Sequence, residues 1–271
     1  MKVILSGDMY QFSGAEASIL SLLDELQSNS VKSLLIVPEF RDEQIKSENV
    51  RTFKVPFKRP ASSEEIYLKL GNPIFQLLYV KFLIQQIQQF KPDILHSAQY
   101  FSTPATWLAS KITKVPFVAH VRDYRLVCSV ETCFKRGEIN FCGDNQRFLC
   151  LLSETKSLVK SIYGVLLVRL MRYFFQGSKK IMVVSDFVGQ IMQKILKRST
   201  ITIYNIVRMD YKPKRMKPWE RNGFHILYFG RLSPSKGVQI LLKVVEKMNK
   251  TMILHVAGSG ELSKTVKEHA R

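Results

Sequence analysis

The feature that most constrains this chain is the alternation of short apolar runs with amphipathic helical segments along its whole length. The run KVILS (2–6) is typical of a buried strand, and residues 15–26 repeat apolar side chains at helical spacing. Further strands are predicted at 31–38, 50–56, 93–97, 115–121, 179–185, 200–205, 224–230 and 251–258, and further helices at 73–90, 103–111, 153–176, 186–196, 237–248 and from about 261. Repeated strand–helix–strand units predict an α/β fold with parallel sheets.

A basic, proline-containing stretch divides this pattern in two. Segment 206–222 contains Pro213 and Pro218 and many lysines and arginines, which is typical of a linker. We therefore predict a first domain over 1–205 and a second over 223–271. The second has room for only two strands and two helices, about half of what a doubly wound sheet needs, and is expected to be incomplete.

The turn YFGRLSPSKG (228–237) carries the strongest chemical signal. It follows a strand, and ligands of parallel sheets bind beyond the carboxyl ends of the strands. Gly230 permits a tight turn, while Arg231 and Lys236 offer two cations ahead of a helix N-terminus. Such a turn could grip a phosphate or diphosphate. The alternative is a basic turn on a basic surface.

The net charge of +19 is distributed unevenly. Residues 1–120 carry a net +2, residues 121–220 a net +11 and residues 221–271 a net +6. Such a field attracts polyanions, which include nucleic acid, anionic membrane and phosphorylated ligands.

The sequence offers no clear membrane span or metal motif. The N-terminus is too short in its apolar core for a signal peptide, and no uncharged apolar run reaches about 20 residues. The nearest, 158–175, is either a helix lying on a bilayer or an amphipathic helix packed on a sheet. The cysteines lack paired C-x-x-C spacing, so unligated cytosolic thiols are expected rather than disulfides or a metal site; they are Cys128, Cys133, Cys142 and Cys150.

Six segments, in order, carry a resemblance to a known family. They are FSGAEASILSLLDEL (12–26), the stretch from KPDILHS to FVAHVRD (91–123), KKIMVVSDFVGQIM (179–192), ITIYNIVRMDYKP (201–213), GRLSPSKG (230–237) and ILHVAGSGE (253–261). Together they resemble the retaining glycosyltransferases of family 4, which have the GT-B fold of two Rossmann-like domains. The resemblance covers nearly the whole chain.

The resemblance implies a hexosyltransferase that uses a nucleotide-sugar donor and a glycan or lipid-linked acceptor, with retention of anomeric configuration. Arg231, Lys236, Gly14 and Gly230 match positions at the donor diphosphate, and Gly258 and Gly260 match a donor-side glycine turn. His120 matches a histidine near the transferred sugar and is the catalytic candidate. The resemblance also implies a cleft between the two domains, and His96 and Asp123 are further candidates for it. No cofactor is expected.

Two expectations concern metal and activity. The chain has no D-x-D motif, so a metal-independent reaction is expected, in which cations stabilise the leaving diphosphate. The family's second domain continues beyond the region that this sequence matches, so the 271-residue chain alone is expected to be inactive or nearly so.

Two other functions remain open. The charge would suit a nucleic-acid-binding protein, although no stacking pattern or nucleic-acid motif is present, so nucleic acid is not the expected partner. A truncated or split transferase could also act as a non-catalytic scaffold. The expected location is the cytoplasm, with an anionic inner membrane face as a further partner. The loop 122–150 is either an acceptor-site lid or surface decoration.

Overall fold

The computed structural model describes residues 1–8, 14–41, 45, 47–59, 63–128, 134–135, 138–139, 143–206, 224–248 and 252–269. It divides the chain into two compact units, Met1–Met209 and Asp210–Arg271. The predicted linker falls almost entirely on residues 207–223, outside the described part, so the predicted domain limits stay predictions.

The first unit is built on a parallel sheet of seven strands. The strands are β1 (Lys2–Ser6), β2 (Lys32–Glu39), β3 (Val50–Lys54), β4 (Ile94–Ser97), β5 (Phe117–Val121), β8 (Lys180–Val183) and β9 (Thr200–Thr202), and a separate short hairpin pairs β6 (Phe134–Lys135) with β7 (Glu138–Ile139). The helices are α1 (Gly14–Ser28), α2 (Ser63–Leu70), α3 (Pro73–Phe90), α4 (Ser102–Thr113), α5 (Asp144–Thr155), α6 (Leu158–Gln176) and α7 (Asp186–Leu196).

The strand order in this sheet is β3-β2-β1-β4-β5-β8-β9. The order runs outward in one direction from β1 and in the other from β4, so the direction of winding switches between these two strands. Helices cover both faces, and strands such as β2, with six consecutive buried residues, are apolar because they lie between two helical layers. In such sheets the crevice at the switch point, beyond the carboxyl ends of the strands, is where ligands bind.

Local signals placed several elements correctly. Helix α3 spans 73–90 as predicted: the Asn72 side chain accepts from the Ile74 amide, Pro73 opens the helix, and Lys91 closes it with left-handed backbone. The single helix predicted at 153–176 is wrong. It is two helices, α5 and α6, because Lys156 takes left-handed backbone and the Ser157 hydroxyl accepts from the Lys160 amide to start a new helix. Helix α2 was not predicted.

The second unit contains a two-stranded parallel sheet in its described residues. Strand β10 (Phe224–Phe229) pairs with β11 (Met252–Ala257), and the helices are α8 (Val238–Lys247) and α9 (Ser263–His269). A small core around Leu232, Val238 and Leu242 joins them. Helix α8 begins one residue later than predicted, because a 3₁₀ turn at Pro234–Lys236 and left-handed Gly237 precede it.

None of the helices described in either unit has the length and apolar character that crossing a bilayer requires.

Candidate functional site

The switch-point crevice of the first unit holds a buried polar cluster. Asp8 follows β1, and its amide donates to Oε1 of Gln99, which follows β4, at 2.7 Å. The Gln99 amide in turn donates to Oε1 of Glu16, in the first turn of α1, at 3.3 Å. All three side chains are buried. One glutamine thus ties together β1, β4 and the start of α1 at the sheet edge where a ligand is expected.

Asp8 is a carboxyl that its surroundings keep protonated up to near-neutral pH. Burial raises its pKa to about 7, and the raise is moderated by the hydrogen bond from the Phe101 amide and by the charge of Arg125. Its Oδ2 accepts that amide at 2.8 Å, while its Oδ1 is buried without a partner among the described residues. Asp8 therefore loses its proton near neutral pH.

Two stacked histidines end the neighbouring strands. His96 on β4 and His120 on β5 are buried, with ring centroids 5.5 Å apart. Burial, with the nearby positive charge of Arg122, lowers the pKa of His96 to about 3 and that of His120 to about 2. Both imidazoles are therefore neutral at physiological pH. In the described part of the chain, neither Nε2 has a hydrogen-bond partner.

Arg122 connects the elements around these histidines. Its Nε donates to the Ala98 carbonyl beyond β4, and its Nη1 donates to the Ser18 hydroxyl on α1 and to Asn205 Oδ1 beyond β9. Its Nη2 lies 3.3 Å from His120 Nδ1. Because a guanidinium only donates, Nδ1 must accept, which places the proton of the neutral ring on Nε2. His120 thus presents a neutral N–H donor.

The other candidates in this unit differ in how they are engaged. The Asp123 carboxylate accepts from the Arg125 amide at 2.9 Å and pairs with its guanidinium at 3.2 Å, so Asp123 braces the turn after β5. Gly14 is the first residue of α1 and is exposed; a Cβ added there would meet nothing within 4 Å. The start of α1 is thus open to a close approach.

In the second unit, the two glycine turns lie against each other. The Gly230 amide donates to the Ala257 carbonyl, and the Leu232 amide to the Ser259 carbonyl. A Cβ on Gly258 would sit 1.9 Å from the Gly230 oxygen, and one on Gly260 would sit 2.4 Å from the Leu232 oxygen. Both glycines have positive φ, so no other residue fits these two positions. The turn after β10 and the turn after β11 therefore form one rigid edge.

Both cations of the predicted phosphate turn are exposed on this edge. Arg231 and Lys236 lie on either side of the Leu232–Ser235 segment, and neither side chain has an acceptor among the described residues. The Ser233 and Ser235 hydroxyls contact each other at 3.0 Å instead of capping α8. The turn thus presents two unneutralised donors.

No group of three or more His, Cys, Asp or Glu with the geometry of a metal site occurs within the described ranges. Cys128 and Cys150 are buried and in no disulfide within the described ranges, whereas Cys133 and Cys142 lie outside those ranges.

Sequence reasoning did not select Asp8, Glu16, Gln99 or Arg122 as site residues. Each follows a predicted strand within two residues or opens the first helix, which is the signal that could have found them. Their spacing along the chain carries no hint of contact, since 91 positions separate Asp8 from Gln99 and 83 separate Arg122 from Asn205.

The sequence profile of Glycosyltransferase Family 4 matches residues 12–211. No curated protein matches the chain by sequence. Among solved structures, the lipopolysaccharide outer core galactosyltransferase WaaB (TM-score 0.59, 13% identity) covers 100% of this chain and 64% of its own length. The structure of HepE from Anabaena in complex with UDP-glucose has a TM-score of 0.60 and 18% identity, and the match covers 99% of this chain and 64% of that one. Sucrose-phosphate synthase from Thermosynechococcus elongatus has a TM-score of 0.68 and 11% identity, and the match covers 100% of this chain and 68% of that one.

These likenesses confirm the predicted α/β fold class, with Rossmann-like units and parallel sheets of the GT-B type. The chain spans about 64% of the length of the WaaB and HepE chains.

Proposed function

The chain belongs to Glycosyltransferase Family 4, and from that premise we propose that it is a retaining hexosyltransferase that uses a nucleotide-sugar donor. The acceptor we propose is a glycan or a lipid-linked glycan. The family supports the reaction class. One structural observation supports the residues: two exposed cations without acceptors on a rigid glycine edge beyond a parallel sheet.

In this proposal Arg231 and Lys236 bind the donor diphosphate. Arginine supplies a planar fork for phosphate oxygens and lysine a mobile point charge. The backbone at Gly230 lies beside them, and the paired turn of Gly258 and Gly260 holds the edge in shape. Charge that develops on the departing diphosphate is then stabilised by groups already in position, which is the largest single contribution in many enzymes.

The proposed transfer needs no protein nucleophile. The acceptor hydroxyl oxygen forms a bond to the anomeric carbon on the face from which the diphosphate leaves. The bond between that carbon and the diphosphate oxygen breaks, and the hydroxyl proton passes to the departing oxygen. Configuration is retained because both events occur on one face. The two cations take the charge-stabilising role that a metal has in other transferases.

His120 acts here as a hydrogen-bond donor and not as a base. Its ring is neutral, and Arg122 occupies Nδ1, so the proton is on Nε2, which is buried and has no partner among the described residues; in this proposal that proton is donated to a hydroxyl oxygen of the transferred sugar. Arg122 is a positioning residue, since it acts through His120. His96, whose Nε2 also lacks a partner, and Gly14 at the open start of α1 complete the proposed first-unit surface.

We place this reaction in the cytoplasm, at an anionic membrane surface. The support is the net +11 of residues 121–220, which would attract anionic lipid at about 1 kcal/mol per cation near the surface.

The test is donor binding. Binding is measured rather than turnover, because it reports on the Arg231–Lys236 turn directly and needs no acceptor. Isothermal titration with a panel of nucleoside diphosphates should show saturable binding without added metal. The double variant Arg231→Gln/Lys236→Gln should lose at least about tenfold in affinity, since hydrogen bonds to charged groups contribute about 1.5–3 kcal/mol each.

Lys243→Gln/Lys247→Gln is the matched control, because it removes the same charge from α8 in the same unit. Equal losses in both double variants would mean that net charge, and not the turn, attracts the ligand. Salt-sensitive binding of random oligonucleotides without binding of any nucleoside diphosphate would favour a nucleic-acid-binding protein and overturn the transferase proposal.

A further inference from the structure

Helices α3, α4 and α6 line an open apolar groove in the helical layer of the first unit. Its volume is about 520 Å³, within the range of ligand pockets. Its walls include Leu77 and Val80 of α3, Pro104 and Trp107 of α4, and Leu166 and Leu170 of α6. Most of the wall is apolar, with Gln76 and Tyr163 among its few polar side chains, so the groove suits a hydrocarbon better than a polar ligand.

Exposed apolar side chains continue beyond the groove on two of its rims. Ile74 and Leu77 on α3 are 69% and 61% exposed, and Leu166 on α6 is 55% exposed. Leu158, Ile162, Leu166 and Leu170 follow one another at intervals of four residues along α6, all exposed. A contiguous apolar patch of this kind marks a surface that another apolar phase covers.

The charged side chains on the three helices that line the groove have one sign. The three helices contain no aspartate or glutamate. Lys81 and Lys111 are exposed within one turn of the apolar rim, and the Lys111 ammonium lies 6.0 Å from the Trp107 ring centre. Arg169 and Arg172 do not count toward this charge, because both pair with Asp144 of α5. Cations beside an apolar face complement the headgroups and chains of an anionic bilayer.

We propose that this face, formed by α3, α4 and α6, is the surface by which the protein docks on an anionic bilayer, with the groove taking up lipid hydrocarbon. A bilayer fits better than a single bound lipid, because the exposed rims of α3 and α6 lie outside the groove and also need cover. Tyr163 and Tyr173 would lie at the headgroup level, where amphipathic rings are favoured, while Trp107, in the wall of the groove, would contact the acyl chains. The inference rests on the membrane association proposed above and not on the transfer reaction.

The chain contains two tryptophans, which makes the site directly observable. Trp219 lies outside the described residues, and a Trp219→Phe variant leaves Trp107 as the only tryptophan. With vesicles of phosphatidylglycerol and phosphatidylcholine whose acyl chains are brominated, Trp107 fluorescence should be quenched by at least about half. Strong co-sedimentation with the same vesicles but no quenching would show that another surface binds, and would overturn the proposed site.

Rim variants test the same face without spectroscopy. Leu77→Ser/Leu166→Ser should weaken vesicle partitioning at least about tenfold, because the burial of each leucine side chain in the bilayer contributes about a tenfold gain in partitioning. Phe187→Ser/Ile201→Ser is the control: both residues are exposed in the same unit but on α7 and β9. Lys81→Gln/Lys111→Gln should weaken vesicle partitioning about fivefold for each charge removed. Its control is Lys32→Gln/Lys54→Gln, which removes the same charge from strands β2 and β3. Equal effects of variant and control would overturn the proposal.

Two further outcomes are decisive. Binding to neutral vesicles that salt does not weaken would contradict the cationic rim. A concentration-dependent dimer, seen by sedimentation velocity and abolished by Leu77→Ser/Leu166→Ser, would assign the face to a second copy of the chain. Neither outcome changes the titration of nucleoside diphosphates, so failure of the docking surface and failure of the proposed transferase function are distinguishable.

Discussion

At the scale of single residues, Asp8 shows how burial sets chemistry in the crevice. Its carboxyl is 3% exposed and accepts one amide hydrogen bond, and the cost of charging it there raises its pKa to about 7. In the unfolded chain the same carboxyl has its ordinary pKa of 3.8. Between these values the unfolded chain loses the proton first, so Asp8 makes the folded state less stable as pH rises from about 4 to about 7.

Replacing Asp8 by asparagine should remove this pH dependence. Asparagine imitates the protonated carboxyl, so Asp8→Asn should gain stability relative to the natural chain as pH rises from 5 to about 7, by roughly 2–3 kcal/mol, and no further gain is expected up to pH 8. Urea unfolding at pH 5, 6, 7 and 8 gives the difference between the two chains. His96 and His120 act in the opposite sense, because their lowered pKa values cost stability as pH falls below about 6.5, but they contribute equally to both chains.

The control for Asp8 is Glu154→Gln, an exposed carboxylate on α5. Its curve should run parallel to that of the natural chain. If Asp8→Asn also ran parallel over this range, Asp8 would be ionised at neutral pH and the account of the crevice would be wrong.

At the scale of elements, the second unit depends on the contact between its two turns. Gly258 approaches the Gly230 carbonyl so closely that any side chain would overlap it. Gly237 has left-handed backbone, with a φ of 72°, but open space around it. The two glycines are therefore needed for different reasons. Gly258 is needed for packing, and Gly237 only for the conformation of its backbone.

This difference predicts unequal costs of substitution. Gly258→Ala should destabilise the second unit by at least about 2 kcal/mol, because the overlap must move a turn. Gly237→Ala should cost about 1–2 kcal/mol, the cost of left-handed backbone. Thermal unfolding followed by circular dichroism and by nucleoside diphosphate binding measures both. Gly14→Ala, at an open helix start, should have little effect, and equal losses at positions 258 and 237 would refute the packing argument.

At the scale of the whole molecule, the two units differ in how well their sheets are covered. The first has seven strands with helices on both faces. The second has two strands among its described residues, and side chains of β10 such as Phe224, Leu227 and Phe229 are 62–81% exposed. Two-stranded sheets that few other elements pack against are only marginally stable in water.

Hydrogen exchange should therefore be fast in one unit and slow in the other. Peptides that cover β1, β4 and β5 should exchange only through near-global opening, while those that cover β10 and β11 should exchange at least about thirtyfold faster, which corresponds to about 2 kcal/mol. Exchange followed by mass spectrometry on the full chain gives both from one sample. Equal protection would mean that the units unfold together.

The sequence by itself determined the order and type of most elements. Strand β1 and helix α3 have the predicted limits, because apolar periodicity, Pro73 and the cap at Asn72 act within a few residues. It also placed His96, His120 and the glycine turns at strand ends, which parallel pairing then brought to one edge of each sheet. The break between α5 and α6 was missed, since apolar periodicity runs on through a boundary that depends on one cap at Ser157.

Only the tertiary structure decided the chemistry of the crevice. That Arg122 joins α1, β4 and β9, that Gln99 joins Asp8 to Glu16, and that His120 offers its Nε2 proton depend on contacts between distant parts of the chain. The protonation of Asp8 and of the two histidines depends on how much water surrounds them. Burial is a property of the packed molecule, so no local pattern of residues could have revealed it.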